Sequence, residues 1–431
     1  MEDARAAETK TAQDRKAINA LLKDFLGSAL APHAKSPIGI AISGGGDSTA
    51  LLLLAADWAA ETGADLRAIT INHGLRDEAA DEADFVAQLC ARHNIPHTAR
   101  KWTGWDGKGN LQDQGRRARQ ELISTWAHEQ GIKAVALGHT ADDQAETFLM
   151  RLARRSGVDG LSAMAASRES HGITWLRPLL QQSRDDLRDY LRDQGQDWCE
   201  DPSNQDAKYD RIKARQAMEA LAPLGIDANV LMDVSLNMRS AAQALGRQAH
   251  ETAQRIARFE GGDILFDQRD LDEAGPEIAH RLLSAALRYV ASAQYGPRSL
   301  ALSDTMWRLR NGQTNTLHGC LISSDKITLR IGREPQAALK AKGRIGALWD
   351  GRWRIEGPQN QALSLRALGE DGLLQLPDWR ATGLARSTLA AMPSLWNGAK
   401  LMAAPTAGMA NGYTAQLARG EDVFLRSLLS H

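Results

Sequence analysis

Residues 38–54 read Ile38-Gly39-Ile40-Ala41-Ile42-Ser43-Gly44-Gly45-Gly46-Asp47-Ser48-Thr49-Ala50-Leu51-Leu52-Leu53-Leu54, and the character of the chain changes twice within them. The first five residues are apolar and β-branched at alternate positions, the mark of a short buried strand. From Thr49 to Ala60 the sequence holds strong helix formers with no Gly or Pro. The loop Ser43–Ser48 therefore sits where a strand turns into a helix. Three consecutive glycines let the backbone turn sharply and approach a ligand with no Cβ in the way. Successive N–H groups at the positive end of a helix make a cradle for phosphate. Ser43 and Ser48 add hydroxyl donors. Asp47 is the odd member, because a carboxylate repels phosphate unless a cation lies between them; Mg²⁺ on Asp47 resolves the conflict. The loop lacks the terminal Gly-Lys-Ser/Thr of a Walker A motif.

Working outward, further strands are expected at Asp65–Asn72, Pro96–Trp102 and Lys133–Gly138. Helices are expected at Ala17–Leu30, Glu78–His93, Leu111–Gln130 and from His139 onward. Strands alternating with helices at this spacing predict an α/β fold with a doubly wound parallel sheet. Ligands of such sheets collect at the carboxyl ends of the strands. Three segments rich in chemistry begin there: Ser43–Ser48, Asn72–Arg76 and Gly138–Glu146. A charged helix, Ser183–Gln194, and the run Tyr209–Arg215 follow, the latter placing Arg211 and Arg215 four apart on one helical face. From about 219 to 335 the pattern is mostly helical, with long helices at Asn229–Ala257 and Glu277–Ser292 and then a hairpin, Gly319–Ile322 with Lys326–Ile331. From 336 on, scattered Gly, Trp and Arg suggest a small α+β module rich in β. The expected domains are a catalytic one at 1–220, a mostly helical one at 221–335 and the small module at 336–431, the last two serving to bind RNA.

The bulk properties bound the partners. The chain has 431 residues, a formal net charge of −1 and 24% charged residues, so a nucleic-acid partner would have to be gripped by local basic patches. Its 3 cysteines, Cys90, Cys199 and Cys320, form no CxxC or zinc spacing, which suits a reducing compartment and three small buried residues. The charged N-terminus has no apolar signal region, and no apolar run approaches a membrane span. A cytoplasmic protein without membrane association is expected.

Six motifs, met in order, carry a resemblance. They are Ser43-Gly44-Gly45-Gly46-Asp47-Ser48, Asn72-His73-Gly74-Leu75-Arg76, Gly138-His139-Thr140-Ala141-Asp142-Asp143-Gln144-Ala145-Glu146-Thr147, Arg155-Ser156-Gly157, Arg177-Pro178-Leu179-Leu180 and Asp201-Pro202-Ser203-Asn204. The first resembles the pyrophosphate loop (PP-loop) of ATP pyrophosphatases. Together they resemble the bacterial tRNA(Ile)-lysidine synthases, over about residues 35–220. The resemblance implies a ligase acting in two steps. ATP adenylates the C2 oxygen of the wobble cytidine of a tRNA(Ile) with a CAU anticodon, releasing pyrophosphate. The lysine ε-amine then displaces AMP to give lysidine, so that AUA is read in place of AUG. The partners implied are ATP, Mg²⁺, lysine and this tRNA, with a homodimer as one possible assembly.

The residues fit that chemistry. Adenylation needs the triphosphate held and the leaving pyrophosphate stabilised. Gly44, Gly45, Gly46, Ser43, Ser48 and a metal on Asp47 supply this, with His73 as a further ATP contact. Transfer needs a neutral amine from a group whose ordinary pKa is ~10.4. Asp142, Asp143 and Glu146 are candidates to hold the ammonium and take its proton. Asp142 and Glu146 share a helix face, with Asp143 about a hundred degrees round. Carboxylates in this position also stabilise a helix macrodipole. His139 is placed to contact the adenylate or the cytidine. The basic runs available to tRNA are Arg116, Arg117 and Arg119; Arg151, Arg154 and Arg155; and Arg211, Lys213 and Arg215. From these and the loop Arg76, the expected tRNA contacts are Arg76, Arg116, Arg119, Arg155, Arg211 and Arg215. Two alternatives stay open at this point: another PP-loop enzyme such as a tRNA thiolase, and a non-catalytic RNA-binding relative.

Overall fold

The computed structural model describes residues 12–72, 79–103, 111–200, 210–310, 313–325 and 327–429. The chain divides into two units, Met1–Ser240 and Ala241–His431.

In the first unit, α1 (Ala12–Leu30), β1 (Ile38–Ala41), α2 (Gly46–Thr62), β2 (Leu66–Asn72), α3 (Ala79–Arg92), β3 (His97–Lys101), α4 (Leu111–Glu129), β4 (Ala134–Leu137) and α5 (Ala141–Ala153) follow one another as the spacing predicts. After them come the short α6 (Val158–Leu161), β5 (Ser167–Ser170), β6 (Ile173–Leu176), α7 (Arg184–Asp193) and α8 (Asp210–Leu221). The sheet order is β3-β2-β1-β4-β6-β5. All neighbours are parallel except β5, which runs antiparallel to β6 at the edge.

The strands are apolar on both faces because helices cover both. Ile38, Ile40, Ala68, Ala134, Ala136 and Leu176 pack with Leu51, Leu54 and Leu187 in one buried cluster. Their sequence neighbours Ile69, Val135, Ile173 and Trp175 pack with Ile123 and Trp126 of α4 in another. This is the period-two alternation of a sheet read out as two layers. Gly39 belongs to the second layer. A Cβ built there would lie 2.9 Å from Val135 and 3.0 Å from Trp126, so only glycine lets the indole lie against β1.

The chain leaves β1 toward β2 and β3 on one side, then returns to add β4 on the other. The switch point of the sheet thus falls between the carboxyl ends of β1 and β4, where a ligand crevice is expected. The β5–β6 hairpin was not legible in the sequence. Its edge strand, Ser-Arg-Glu-Ser, is short, polar and mostly exposed, as edges tend to be, and so carries no alternation to read.

The boundary between the units falls within α9 (Ala228–Ile256). The second unit is less helical up to residue 335 than its sequence suggests. Beyond α9 it holds β7 (Ala257–Glu260), β8 (Asp263–Asp267), α10 (Gln268–Glu273), α11 (Pro276–Val290), α12 (Ser299–Arg310), β9 (Asn315–Leu317), β10 (Cys320–Ser324) and β11 (Thr328–Arg333). The five strands form one antiparallel sheet, ordered β7-β8-β11-β10-β9. The expected hairpin is β10–β11, but β7 and β8 add a second one, turned by Gly261 and Gly262 at φ 58° and 84°. Two three-stranded sheets follow between Leu348 and Leu417. Trp349, Trp353 and Trp396 are buried there as core residues. Of the cysteines, Cys90 and Cys320 are buried as expected, whereas Cys199 is half-buried and serves the loop described next.

Candidate active site

Ser43–Ser48 is closed upon itself. Gly44 adopts φ +88°, and Cys199 donates its backbone N–H to the Gly44 carbonyl at 2.9 Å. A Cβ on Gly44 would also stand 3.3 Å from the Cys199 sulfur. The Trp198 ring lies against Gly46, so Trp198-Cys199 seats the loop. Ser48 Oγ donates to the Gly45 carbonyl at 2.9 Å, receives the Ser43 N–H at 3.2 Å and lies 3.1 Å from Ser43 Oγ. Thr49 Oγ1 donates to the Gly44 carbonyl at 3.1 Å. Asp47 falls in the first turn of α2.

Across the switch point stands Gly138, one residue past β4. A Cβ there would come within 2.9 Å of the Asp47 carbonyl oxygen and 3.0 Å of Ser48 Cα. Backbone meets backbone at this point. The contact sets the start of α5 beside the start of α2 and so fixes the distance between the two chemistry-bearing segments.

Thr140 caps α5 through a capping box. Its Oγ1 accepts from Asp143 N at 3.4 Å, and Asp143 Oδ2 accepts from Thr140 N at 3.0 Å. Asp143 is thus partly engaged in holding the helix. Asp142 Oδ2 accepts the backbone N–H of Arg184 at 2.7 Å, and Gln182 O accepts from Ala141 N at 2.9 Å, so the approach to α7 is stapled to the start of α5.

The side chain of Arg184 is the element that sequence reading missed. Its Nε donates to Asp47 Oδ2 at 3.2 Å and its Nη1 to Glu146 Oε1 at 3.3 Å, while Nη2 lies 3.6 Å from Asp143 Oδ1. One guanidinium therefore joins the loop carboxylate to those of α5. Arg215 Nε donates to Glu146 Oε1 at 2.6 Å. Arg211 stands 3.8 Å from both Asp143 and Glu146. Arg211 and Arg215, expected as tRNA contacts, thus face the carboxylate cluster. Glu146 is fully buried, and its Oε2 accepts no hydrogen bond from the described residues. One signal for Arg184 was available. It begins α7, right after the N-cap Ser183, at the helix end where the macrodipole disfavours a cation. A cation placed there needs anions facing it.

Electrostatics follow burial. Burial pushes the Asp47 carboxyl up, Arg184 opposes this, and Asp143 and Asp142 add to it. Burial works against the Arg184 charge, but Asp47, Glu146, Asp143 and Asp142 outweigh it and raise the Arg184 pKa. His139 is pushed down to about 4, by burial first, with Asp143 pulling it back and Arg177, Arg211 and Arg116 pushing it further. Its Nδ1 is buried without a partner among the described residues. The imidazole is neutral at pH 7, and the sign of the linkage follows. As pH falls from about 6.5 to about 4, the unfolded chain takes up a proton that the fold refuses, so stability falls on acidification, by up to ~1.4 kcal/mol per pH unit. His139→Gln should flatten this slope relative to the unsubstituted protein. Urea midpoints measured from pH 7 down to pH 4.5 check it, and parallel slopes would refute it.

The remaining basic residues divide. Arg116 and Arg155 are exposed, Arg155 at φ +57°. Arg119 has a lowered pKa, from lost solvent first and then from Arg211 and Arg116, which places the three in one positive neighbourhood. Arg154 pairs with Asp210 at 3.0 Å on the surface, and Lys213 reaches the same carboxylate at 3.9 Å. Arg151 is a backbone anchor: its Nη1 donates to the carbonyls of Gly160 and Ser162 at 2.9 and 3.2 Å. His73, Arg76 and the Asp201–Asn204 motif lie outside the described residues.

A profile of the PP-loop domain matches residues 11–221. A tRNA(Ile)-lysidine synthase of Ruegeria pomeroyi is 48% identical over 394 residues, covering 91% of this chain and 94% of its own. The chain belongs to the tRNA(Ile)-lysidine synthase family. A second tRNA(Ile)-lysidine synthase, of Wolbachia pipientis wMel, is 34% identical and covers 76% of this chain and 78% of its own. Among solved structures, the U34-tRNA thiolase NcsA from Methanococcus maripaludis, with its [4Fe-4S] cluster, overlays with a TM-score of 0.46 at 14% identity, over 52% of this chain and 79% of its own. As a member of the lysidine synthase family the chain is an ATP-using enzyme of tRNA modification. No helix among the described residues is long and apolar enough to cross a membrane.

Proposed function

We propose that the crevice between β1 and β4 carries both half-reactions of lysidine formation, with Ser43–Ser48 serving adenylation and the α5 carboxylates serving lysine transfer. The observation that carries this reading is the junction at Arg184, where Asp47 of the loop and Glu146 of α5 share one guanidinium. In the first step the cytidine C2 oxygen attacks the α-phosphorus of ATP. The bond to the β-phosphate oxygen breaks, and pyrophosphate leaves toward the N–H groups of the loop. In the second step the lysine ε-nitrogen attacks C2, the bond from C2 to the adenylate oxygen breaks, and AMP leaves. The amine proton passes to a carboxylate of α5, with Glu146 the best placed because its Oε2 accepts from no donor among the described residues.

Asp47 suits Mg²⁺, which binds through one or two carboxylates and completes its shell with substrate phosphates and water. Such an ion, when bound, neutralises phosphate charge. Neutral His139, which feels the charges of Arg211 and Arg116, is suited to an uncharged contact with the cytidine or adenylate. Arg116 and Arg155 are exposed cations suited to the tRNA backbone, with Arg119 in the same positive neighbourhood as Arg116. Residues 221–335 and 336–431 are assigned to the tRNA body, and the cytoplasm is where that substrate is made.

The test is transfer of radiolabelled lysine to an unmodified tRNA(Ile) transcript with a CAU anticodon, in the presence of ATP and Mg²⁺. We expect lysine incorporation with this transcript and none with tRNA(Met) of the same anticodon. Folded protein that transfers no lysine would refute the reading.

A further inference from the structure

We propose that Arg184 is an internal stand-in for the attacking amine: its guanidinium occupies the carboxylate pocket that the lysine ammonium requires, and lysine enters by displacing it. This rests on the assignment of the α5 carboxylates to lysine.

The side chain is held differently from its backbone. The Arg184 N–H is tied to Asp142 at 2.7 Å, a short charge-assisted bond. The guanidinium contacts, at 3.2, 3.3 and 3.6 Å, are each longer than a well-formed arginine–carboxylate bond. Arg333 on Asp350 shows what this chain builds when an arginine is to stay, a two-pronged pair with both bonds at 2.8 Å. Arg184 instead spreads one cation over three acceptors from two elements. The main chain is fixed and the side chain is exchangeable.

The pocket also has an acceptor that Arg184 does not satisfy. Glu146 Oε2 is buried and accepts no hydrogen bond from the described residues, and Arg211 Nε stands 3.8 Å from it. A buried carboxylate oxygen without a donor is costly. An ammonium is a compact point charge with three donors that rotate freely, and it can satisfy such an oxygen where a planar fork cannot. Both cations carry one charge, so exchanging the guanidinium for the ammonium leaves the charge of the cluster unchanged. The cluster carries the same charge empty and loaded, so the buried Asp143 and Glu146 face a cation in this pocket in both states.

An occupied pocket weakens the apparent affinity in proportion to the fraction of time it is free. With the free state at about a tenth, removing the stand-in should tighten lysine binding about tenfold. The experiment is calorimetric titration of lysine into the full chain without nucleotide, for the unsubstituted protein, Arg184→Met, Arg184→Lys and Glu146→Gln. We expect Arg184→Met to bind lysine about tenfold more tightly, and added methylguanidinium to compete with lysine for that variant. Unchanged or weaker binding by folded Arg184→Met would overturn the proposal, since a purely positioning role predicts weakening. Should Arg184→Met fail to fold, Arg184→Lys decides: its ammonium reaches fewer acceptors and should give an intermediate gain, and equal or weaker binding would count against displacement. Glu146→Gln separates the two readings. If it leaves lysine binding unchanged, the assignment of lysine to α5 fails and the proposal with it. If it weakens binding while Arg184→Met gives no gain, only the displacement proposal fails.

Discussion

Asp47→Ala is expected to lower pyrophosphate release from ATP and tRNA a hundred- to a thousandfold or more, the scale for losing one preorganised electrostatic group at a phosphate centre. Folding should be nearly untouched. Asp47 lies in the first turn of a helix, its side chain is 22% exposed, and its ion pair is with Arg184, which keeps Glu146 and Asp143 as partners. Burial already disfavours the Asp47 charge, so removing it also removes a desolvation cost. The measurements are pyrophosphate release without lysine and the urea midpoint of the same preparation. Adenylate formation at the unsubstituted rate would refute the role given to Asp47. A collapse of the midpoint would move it from chemistry to structure.

Glu146→Gln should separate the half-reactions. Lysine transfer to pre-adenylated tRNA should fall by a factor of about a hundred to ten thousand, the range for loss of a positioned proton acceptor. Adenylate formation should stay within severalfold. Glutamine keeps the shape and one acceptor oxygen for Arg215, which now stands 2.6 Å from Glu146 Oε1, but it loses the charge that balances Arg184 and Arg211. Some stability should therefore be lost, because a buried charge is left without its counter-ion. Chasing isolated adenylated tRNA with labelled lysine gives the second step directly. Equal losses in both steps would place Glu146 in the ATP site instead.

The site was legible where chemistry and local structure coincide. The glycines, Asp47 and the strand-to-helix change around them mark the loop without any tertiary information. The run from Gly138 to Glu146 marks the facing helix, and the period-two pattern of Ile38, Ile40, Val135 and the other strand residues gives a sheet covered on both faces. Arg184 carried only the signal of a cation at a helix N-terminus, because its partners are carboxylates that lie well before it in the chain and meet it only through packing. Trp198-Cys199 escaped for the same reason. The β5–β6 hairpin and the β7–β8 strands escaped for a different one: they are short, and the exposed Ser167–Ser170 shows no apolar alternation.

The contact at Gly138 bears on how such an enzyme can change. A seam of backbone against backbone offers no side chain to vary, so the phosphate-activating loop and the strand end beside it are inherited as one piece. Glu146, Arg184 and Arg215 meet through their side chains and can be exchanged without moving that piece. New nucleophiles can be recruited to an old activated intermediate by rewriting Glu146, Arg184 and Arg215, while the seam at Gly138 stays as it is.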